Sequence, residues 1–137
     1  MEKQTSITLS RLDVERIESL LDTPALRDSP AATRLREEFD RADIVEPASM
    51  PHDVVSMNSS ADCVDESNGK HHTLTLVYPK DADADAGRIS VLAPVGSALL
   101  GLRMGQSIDW PGQAGNTHRL RVTAIHYQPE GAGDLHR

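Results

Sequence analysis

The sequence predicts an α+β fold, in which a short N-terminal helical hairpin precedes a small, mostly antiparallel sheet with one short helix. Two observations predict this class. Apolar residues recur at helical spacing through the first half-hundred positions, whereas from Asp53 onward they alternate with a period of two. The segment "VEPASMP" separates the two patterns. We therefore expect a hairpin in residues 1–49 and a sheet domain in residues 50–137.

The first helix is predicted to begin near Ser10, because Ser10 and Asp13 resemble a capping box. Pro24 ends it, since a proline removes the preceding residue from helical geometry. Its apolar positions are Leu9, Leu12, Ile17, Leu20 and Leu21.

The second helix begins at an N-cap supplied by Asp28 or Ser29, with Pro30 as its first residue. Leu35, Phe39 and Ala42 share one face of it. Each helix should hold about 14 residues and measure about 20 Å. The short loop "DTPALRDS" makes the helices antiparallel neighbours, which predicts a small coiled coil with a narrow apolar seam.

The second half predicts strands separated by turns. The alternation is clearest from His72 to Tyr78 and in "THRLRVTAIHYQ", where it slips before Ile125. Pro94 should open a short helix that Gly101 closes. The other predicted strands are residues 53–65, "RISVL" and "QSIDW".

Composition restricts the class of protein. The chain has 137 residues and a formal net charge of −7, which argues against binding nucleic acid through phosphate neutralisation and favours a basic protein partner. A single cysteine, Cys63, permits no internal disulfide and is typical of the cytoplasm. No apolar run approaches the length of a membrane span, so we expect a soluble, monomeric, cytoplasmic protein.

Three patterns resemble ligand-binding motifs, namely for calcium, zinc and nucleotide phosphate, but each lacks residues that its motif requires. Asp81, Asp83 and Asp85 match the first positions of a calcium loop, but the required glycine and final glutamate are absent, which leaves an acidic hairpin loop. The scattered histidines do not have zinc-ligand spacing. Gly96 and Gly101 have Walker A spacing without its lysine and hydroxyl. We therefore predict no metal, no cofactor and no catalytic residue.

One segment, "APVGSALLGLRMGQSIDW", differs from its polar surroundings. Its short helix has Ala93 at the N-cap, where alanine forfeits about 1 kcal/mol relative to serine or aspartate. The amides of Val95 and Gly96 are then left for acceptors from another molecule. This end of the helix is the predicted partner-binding site.

Several motifs resemble known families. "RISVLAPVGSALLGLRMGQSI" resembles the signature of the C-terminal FKBP-like domain of the Gre transcription elongation factors. "MPHDVVSMNS", "LVYP" and "YQPE" are closer to the Rnk family, regulators of nucleoside diphosphate kinase, which are Gre relatives. The resemblance implies a bacterial protein that binds RNA polymerase at its secondary channel, with an FKBP-like sheet domain.

In that resemblance the docking surface includes the loop before the short helix, here Ala93, Pro94, Val95, Gly96 and Ser97. Ala93, Ser97 and Gln106 depart from the residues common in Gre factors. The hairpin tip offers Asp22 and Asp28, but not the Gre tip motif, and the arm is shorter than a Gre coiled coil. We therefore expect a non-enzymatic regulator that competes with Gre factors and does not stimulate transcript cleavage.

Three alternatives remain open. The chain could be a weak transcript-cleavage factor acting through Asp22 and Asp28, in which case those two residues hold a metal. It could instead regulate nucleoside diphosphate kinase or its expression, as the family name implies. A proline isomerase is the third, but such a site needs an aromatic-lined cleft and the chain has only Phe39, Tyr78, Trp110 and Tyr127.

Overall fold

The computed structural model describes residues 7–111, 117–129 and 133. Helices and strands both occur in the described part, which confirms the predicted α+β class. The helices are α1 (Arg11–Leu21), α2 (Pro30–Arg41) and α3 (Pro94–Leu99). The strands are β1 (Thr8–Ser10), β2 (Asp43–Val45), β3 (Ser60–Asp65), β4 (Lys70–Val77), β5 (Arg88–Ser90), β6 (Ser107–Pro111) and β7 (Thr117–Tyr127).

The helix caps follow the sequence signals. Ser10 Oγ accepts a hydrogen bond from the amide of Asp13 at 3.1 Å, which confirms the N-cap of α1. Ser29 Oγ accepts from the amide of Ala32 at 3.1 Å, so Ser29, rather than Asp28, caps α2. The helices have 11 and 12 residues, somewhat shorter than predicted, because both stop where the chain turns into the loop or strand that follows.

Both long helices share one core with the sheet. From α1 the core takes Val14, Ile17 and Leu21, and from α2 it takes Ala32, Leu35 and Phe39. The same cluster contains sheet residues such as Cys63, Leu76, Leu120 and Val122. The apolar faces of α1 and α2 are therefore buried against the sheet domain, and not only in the seam between two helices that the sequence predicts.

The main sheet has five strands in the order β5-β4-β3-β7-β6. The pairs β3–β4, β3–β7 and β6–β7 are antiparallel, in agreement with the predicted mostly antiparallel sheet. However, β4 and β5 are parallel, with Leu76 opposite Ile89. The acidic segment between them contains two short 3-10 turns. Within it Asp83 and Arg88 form an antiparallel bridge with reciprocal backbone hydrogen bonds of 2.9 Å, so the predicted hairpin loop is present as a local turn of a longer return connection.

The long strand β7 contains two irregularities opposite β3. Cys63 pairs with Val122 and Asp62 with Ala124, whereas Ala61 pairs with Ile125 and Ser60 with Tyr127. Extra residues on β7 are the mark of β-bulges, which shift the side chains that follow to the other face. The slip predicted before Ile125 is therefore confirmed.

The predicted strand over residues 53–65 begins late. Only its second part, β3, is a strand, and the residues before it form turns fixed by hydrogen bonds. Val55 donates to Leu102 O at 2.8 Å, and Ser56 Oγ and Ser59 Oγ are 3.0 Å apart. Asn58 has a left-handed backbone, with φ of 67°. The alternation of apolar residues here reflects burial in a turn and not a strand.

A two-stranded parallel sheet, β1–β2, was not predicted. Its pairing, with Leu9 opposite Ile44, joins the residues before α1 to those after α2. The amide of Thr8 also reaches Gly101 O at 3.5 Å. Gly101 has φ of +83°, and a Cβ there would lie 2.8 Å from Ile7 Cβ, so only glycine fits. This contact fixes residues 7–45, which we call the N-terminal unit, beside α3.

In the part of the chain that the structure describes, no helix combines the length and the apolar character that crossing a membrane requires.

Candidate partner-binding site

Residues 90–97 lead into α3 and form its first part; we call this segment the α3 loop. Hydrogen bonds between its own residues hold it. Ser90 Oγ accepts from the amide of Leu92 at 3.0 Å, and Ser90 O accepts from the amide of Ala93 at 3.0 Å. Ala93 occupies the N-cap with extended geometry and makes no side-chain cap, as predicted. Pro94 is the first residue of the helix. The α3 loop therefore has a defined backbone without help from a capping side chain.

Two of the predicted contact residues are in the interior. A Cβ on Gly96 would lie only 2.0 Å from Ser90 O, so the backbone approaches too closely for any other residue. Ser97 is fully buried, and its hydroxyl donates to Val91 O at 2.7 Å. Gly96 and Ser97 thus hold the α3 loop, and in this conformation we do not expect them to contact a partner. Ala93 and Val95 are half-buried and partly accessible.

Helix α2 supports the α3 loop from the N-terminal unit. Arg34 Nη2 donates to Leu92 O at 3.0 Å, across 58 residues of sequence. Both backbone groups of Leu92 are then bonded, its amide by Ser90 and its carbonyl by Arg34. Nothing in the sequence predicts this contact, because an arginine on a polar helix face normally points to solvent.

A titratable group lies on the same helix, one turn after Arg34. Burial raises the pKa of Glu38 to about 7, although the cations of Arg41 and Arg34 act in the opposite direction. Its partner Arg41 is 3.5 Å away, and only 17% of the Glu38 side chain is exposed. Within the described residues, Arg34 Nε and Glu38 Oε1 are buried without a hydrogen-bond partner. The carboxyl is thus poorly solvated and incompletely neutralised.

The loop after α3 is also ordered by side chains. Gln106 Oε1 accepts from the amide of Arg103 at 2.7 Å, and Arg103 pairs with Asp53 at 3.0 Å. The glutamine that departs from the Gre pattern therefore closes the turn through its carbonyl oxygen. Between them, Met104 is 47% exposed, one of two large apolar side chains that stand out in the described part of the chain.

The two aspartates of the predicted hairpin tip have different surroundings. Asp22 is the C-cap of α1, and its Oδ1 lies 3.0 Å from Arg36 Nη2. Arg36 also donates to Arg27 O at 3.2 Å, which ties the tip together. Asp28 is exposed and does not cap α2, contrary to one of the two alternatives for that cap. Among the described residues, no group of three or more metal-ligand side chains is close enough to hold an ion.

Two motifs far apart in the sequence meet in a groove that we did not predict. Asn58, from "MPHDVVSMNS", and Tyr78, from "LVYP", line a groove of about 710 Å³ beside α1. Arg16, Leu20, Pro79 and Lys80 line the rest of it, with Asp81. Asn58 has a left-handed backbone, which depends on the turn that contains it. The sequence alone does not show this conformation and therefore does not predict the groove.

The outer face of the sheet carries a second polar group. Asp62 Oδ1 accepts from Thr73 at 2.7 Å, and His126 Nε2 lies 2.8 Å from Asp62 Oδ2. These hydrogen bonds, from Thr73 first and His126 second, lower the pKa of Asp62. Asp62, Thr73 and His126 stand on β3, β4 and β7, so these hydrogen bonds are cross-strand contacts.

Comparison with known proteins assigns the family. Residues 5–45 match the Rnk N-terminus, and residues 50–127 match the C-terminal region of the transcription elongation factors GreA and GreB. The "Regulator of nucleoside diphosphate kinase" of Escherichia coli strain K12 is 46% identical over 129 residues, which cover 94% of this chain and 95% of that protein.

Similarity to GreA proteins of other bacteria covers less of the chain. GreA of Acidiphilium cryptum strain JF-5 is 30% identical over 82 residues, 60% of this chain and 52% of that protein. Among solved structures, "Prokaryotic transcription elongation factor GreA/GreB from Nitrosomonas europaea" is 44% identical with a TM-score of 0.75, covering 90% of this chain and 100% of that one. The resemblance inferred from the motifs is confirmed, and the chain belongs to the Rnk family of regulators of nucleoside diphosphate kinase, with a C-terminal region of the GreA/GreB type.

Proposed function

We propose that this protein is a non-enzymatic transcription regulator that docks at the secondary channel of RNA polymerase and competes there with Gre-type factors. The contact is made by the α3 loop at Ala93 and Val95, which are partly accessible. The proposal is supported by the GreA/GreB-type match over residues 50–127 and by the rigid α3 loop at its centre.

The proposal that the protein does not stimulate RNA cleavage is supported by the contacts of Asp22 at the hairpin tip. Metal-assisted RNA cleavage needs carboxylates placed freely at the reacting phosphate. Asp22 is instead engaged with Arg36, and both helices bury their apolar faces in the core. At 12 residues α2 spans only about 18 Å. A short arm anchored to its own sheet domain fits a protein that occupies a channel entrance without reaching the active centre.

Binding is tested with purified core RNA polymerase and the full chain, labelled on an exposed residue. We expect a saturable complex that an excess of GreA displaces. Ala93→Arg should weaken binding about tenfold, because a long cation at a half-buried position obstructs the contact. Ala48→Arg, the same change at an exposed position outside the α3 loop, is the matched control and should bind normally. A chain that neither binds nor competes contradicts the proposal.

The catalytic part is tested separately on backtracked elongation complexes. We expect no RNA cleavage above the polymerase's own rate, and reduced cleavage when a Gre factor competes with this chain. Asp22→Asn and Asp28→Asn should change neither result. Cleavage that both substitutions abolish would instead establish the weak transcript-cleavage factor.

The name of the Escherichia coli relative favours a second candidate, a protein that adjusts the level of nucleoside diphosphate kinase. Transcription regulation accounts for such an effect without contact between the proteins. Direct mixing of the chain with the kinase, followed by sizing of the products, distinguishes the two routes, because a stable mixed complex would require contact.

A further inference from the structure

Several hydrogen bonds hold the α3 loop. Within the loop and its helix, Leu92 N bonds Ser90 Oγ, Ala93 N bonds Ser90 O and Ser97 Oγ bonds Val91 O, while Val91 N bonds Val77 O on the sheet. The bond from Arg34 on α2 to Leu92 O comes from the N-terminal unit. Leu92 is followed directly by Ala93 and Pro94, the residues at which the partner-binding surface begins.

The base of Arg34 cannot shift independently of the core. Its neighbours on α2, Ala32 and Leu35, are both fully buried. Helix α2 also lies in contact with α3. A guanidinium bond to a partly buried carbonyl is charge-assisted and stronger than a bond between neutral groups. The position of the α3 loop is therefore set by α2 as well as by the sheet domain.

From this geometry we infer that Arg34 is a positioning residue for partner binding, which couples the N-terminal unit to the α3 loop through Leu92 O. The inference rests on the proposed function. It adds that the helices do more than occupy space beside the docking surface, because they hold that surface in its binding shape. Displacement of α2 would release Leu92 and with it the N-terminal end of α3.

Arg36 offers a matched control on the same helix. It too donates to a main-chain carbonyl, that of Arg27, and it pairs with Asp22, but both contacts lie in the hairpin tip. Arg34→Gln and Arg36→Gln therefore remove the same chemical group from one helix, and only the first touches the α3 loop. Arg34→Lys keeps a cation on a long side chain and should therefore still hold the α3 loop and support polymerase binding.

The experiment measures two quantities for each full-length variant: the Kd for core RNA polymerase, and amide hydrogen exchange at Ser97 and Leu100, whose N–H groups bond within α3. Arg34→Gln should raise the Kd about tenfold, which is the effect of losing one hydrogen bond from a charged donor. It should also speed exchange at Ser97 and Leu100 while β3 and β7 stay protected. Arg36→Gln should leave both quantities unchanged, and Arg34→Lys should restore both.

The two proposals fail in different ways. If the wild-type chain does not bind polymerase, the proposed function is wrong, whereas faster exchange confined to α3 in Arg34→Gln would still support the coupling. If the wild-type chain binds and Arg34→Gln binds equally well, the positioning role is wrong. Exchange that rises evenly across α1, α2 and β3 would also overturn it, because that result describes a contact for global stability.

Discussion

The carboxylate of Asp13 accepts a hydrogen bond from the amide of Met57 at 3.1 Å, across 44 residues of sequence. Asp13 stands in the first turn of α1 and is only 3% exposed. The bond joins the N-terminal unit to the turn segment that precedes β3. A residue that the sequence marked as a capping partner thus has a tertiary role as well.

This bond predicts the effect of shortening the side chain. Asp13→Ala should lower the free energy of unfolding by about 1 to 3 kcal/mol, because the buried amide of Met57 is left without an acceptor. Asp13→Asn keeps an acceptor oxygen and should lose less. Urea titration monitored by circular dichroism measures both. Equal losses for the two variants would mean that the charge matters and the bond to Met57 does not.

Glu38 predicts a pH dependence of stability. Its pKa is raised by burial from the usual 4.5 to about 7 in the folded protein, so folding favours the protonated carboxyl. The contribution of Glu38 is therefore fully present below about pH 4.5 and is lost as the pH rises to about 7. The loss is on the order of 3 kcal/mol, since a tenfold change in proton affinity corresponds to about 1.4 kcal/mol.

The measurement is a comparison of Glu38→Gln with the wild type from pH 4.5 to 8. The stability of the variant relative to the wild type should increase across this range, because glutamine keeps a neutral side chain in the same position. Glu37→Gln, an exposed neighbour on the same helix, is the control. A difference between Glu38→Gln and the wild type that does not vary with pH would show that the carboxyl is ionised throughout.

The N-cap of α3 predicts a stabilising substitution. Ala93 makes no side-chain cap, so Ala93→Ser should increase the free energy of unfolding by about 1 kcal/mol through a bond to an amide in the first turn. Thermal melting of the full chain measures this increase. The same serine should weaken polymerase binding if those amides are used by the partner. If Ala93→Ser stabilises the protein but leaves its affinity for polymerase unchanged, the partner does not use these amides.

Gly96 predicts a severe defect of a purely steric origin. Gly96→Ala should cost about 3 kcal/mol, since the new methyl group would collide with Ser90 O and the loop would have to move. Gly69→Ala is the control, because it meets no atom within 4 Å and bears only the strain of φ +74°. We expect it to cost about 1 kcal/mol. Denaturant midpoints that are equal for the two variants would contradict the close approach.

Local signals in the sequence predicted the helices well, because a cap such as Ser10 or Ser29 acts within one turn of itself. Non-local pairing was harder. The strands β1 and β2 have three residues each, too few for an alternation to be recognised, and they are stabilised by each other. The parallel pairing of β4 with β5 likewise requires a connection that brings the chain back beside β4. The composition of the acidic segment does not predict such a connection.

The start of α3 was predicted at the right residues, whereas the role of the α3 loop as a partner-binding site stays a prediction. Its glycine and proline mark the α3 loop, since each restricts the backbone directly. Whether a side chain there points outward depends on packing, so the sequence predicts Ser97 as a contact residue although it is buried. The sequence does not predict the role of Arg34, because Arg34 bonds the carbonyl of Leu92, which only folding brings near it.

A shared interior also constrains how such proteins can diverge. Because Ile17, Leu21, Leu35 and Phe39 pack into the same core as the sheet, an ancestor could not have exchanged this N-terminal region for another without matching changes beneath it. The segment between Leu21 and Pro30 contributes no side chain to that core, so changes of length or composition there disturb the shared interior least.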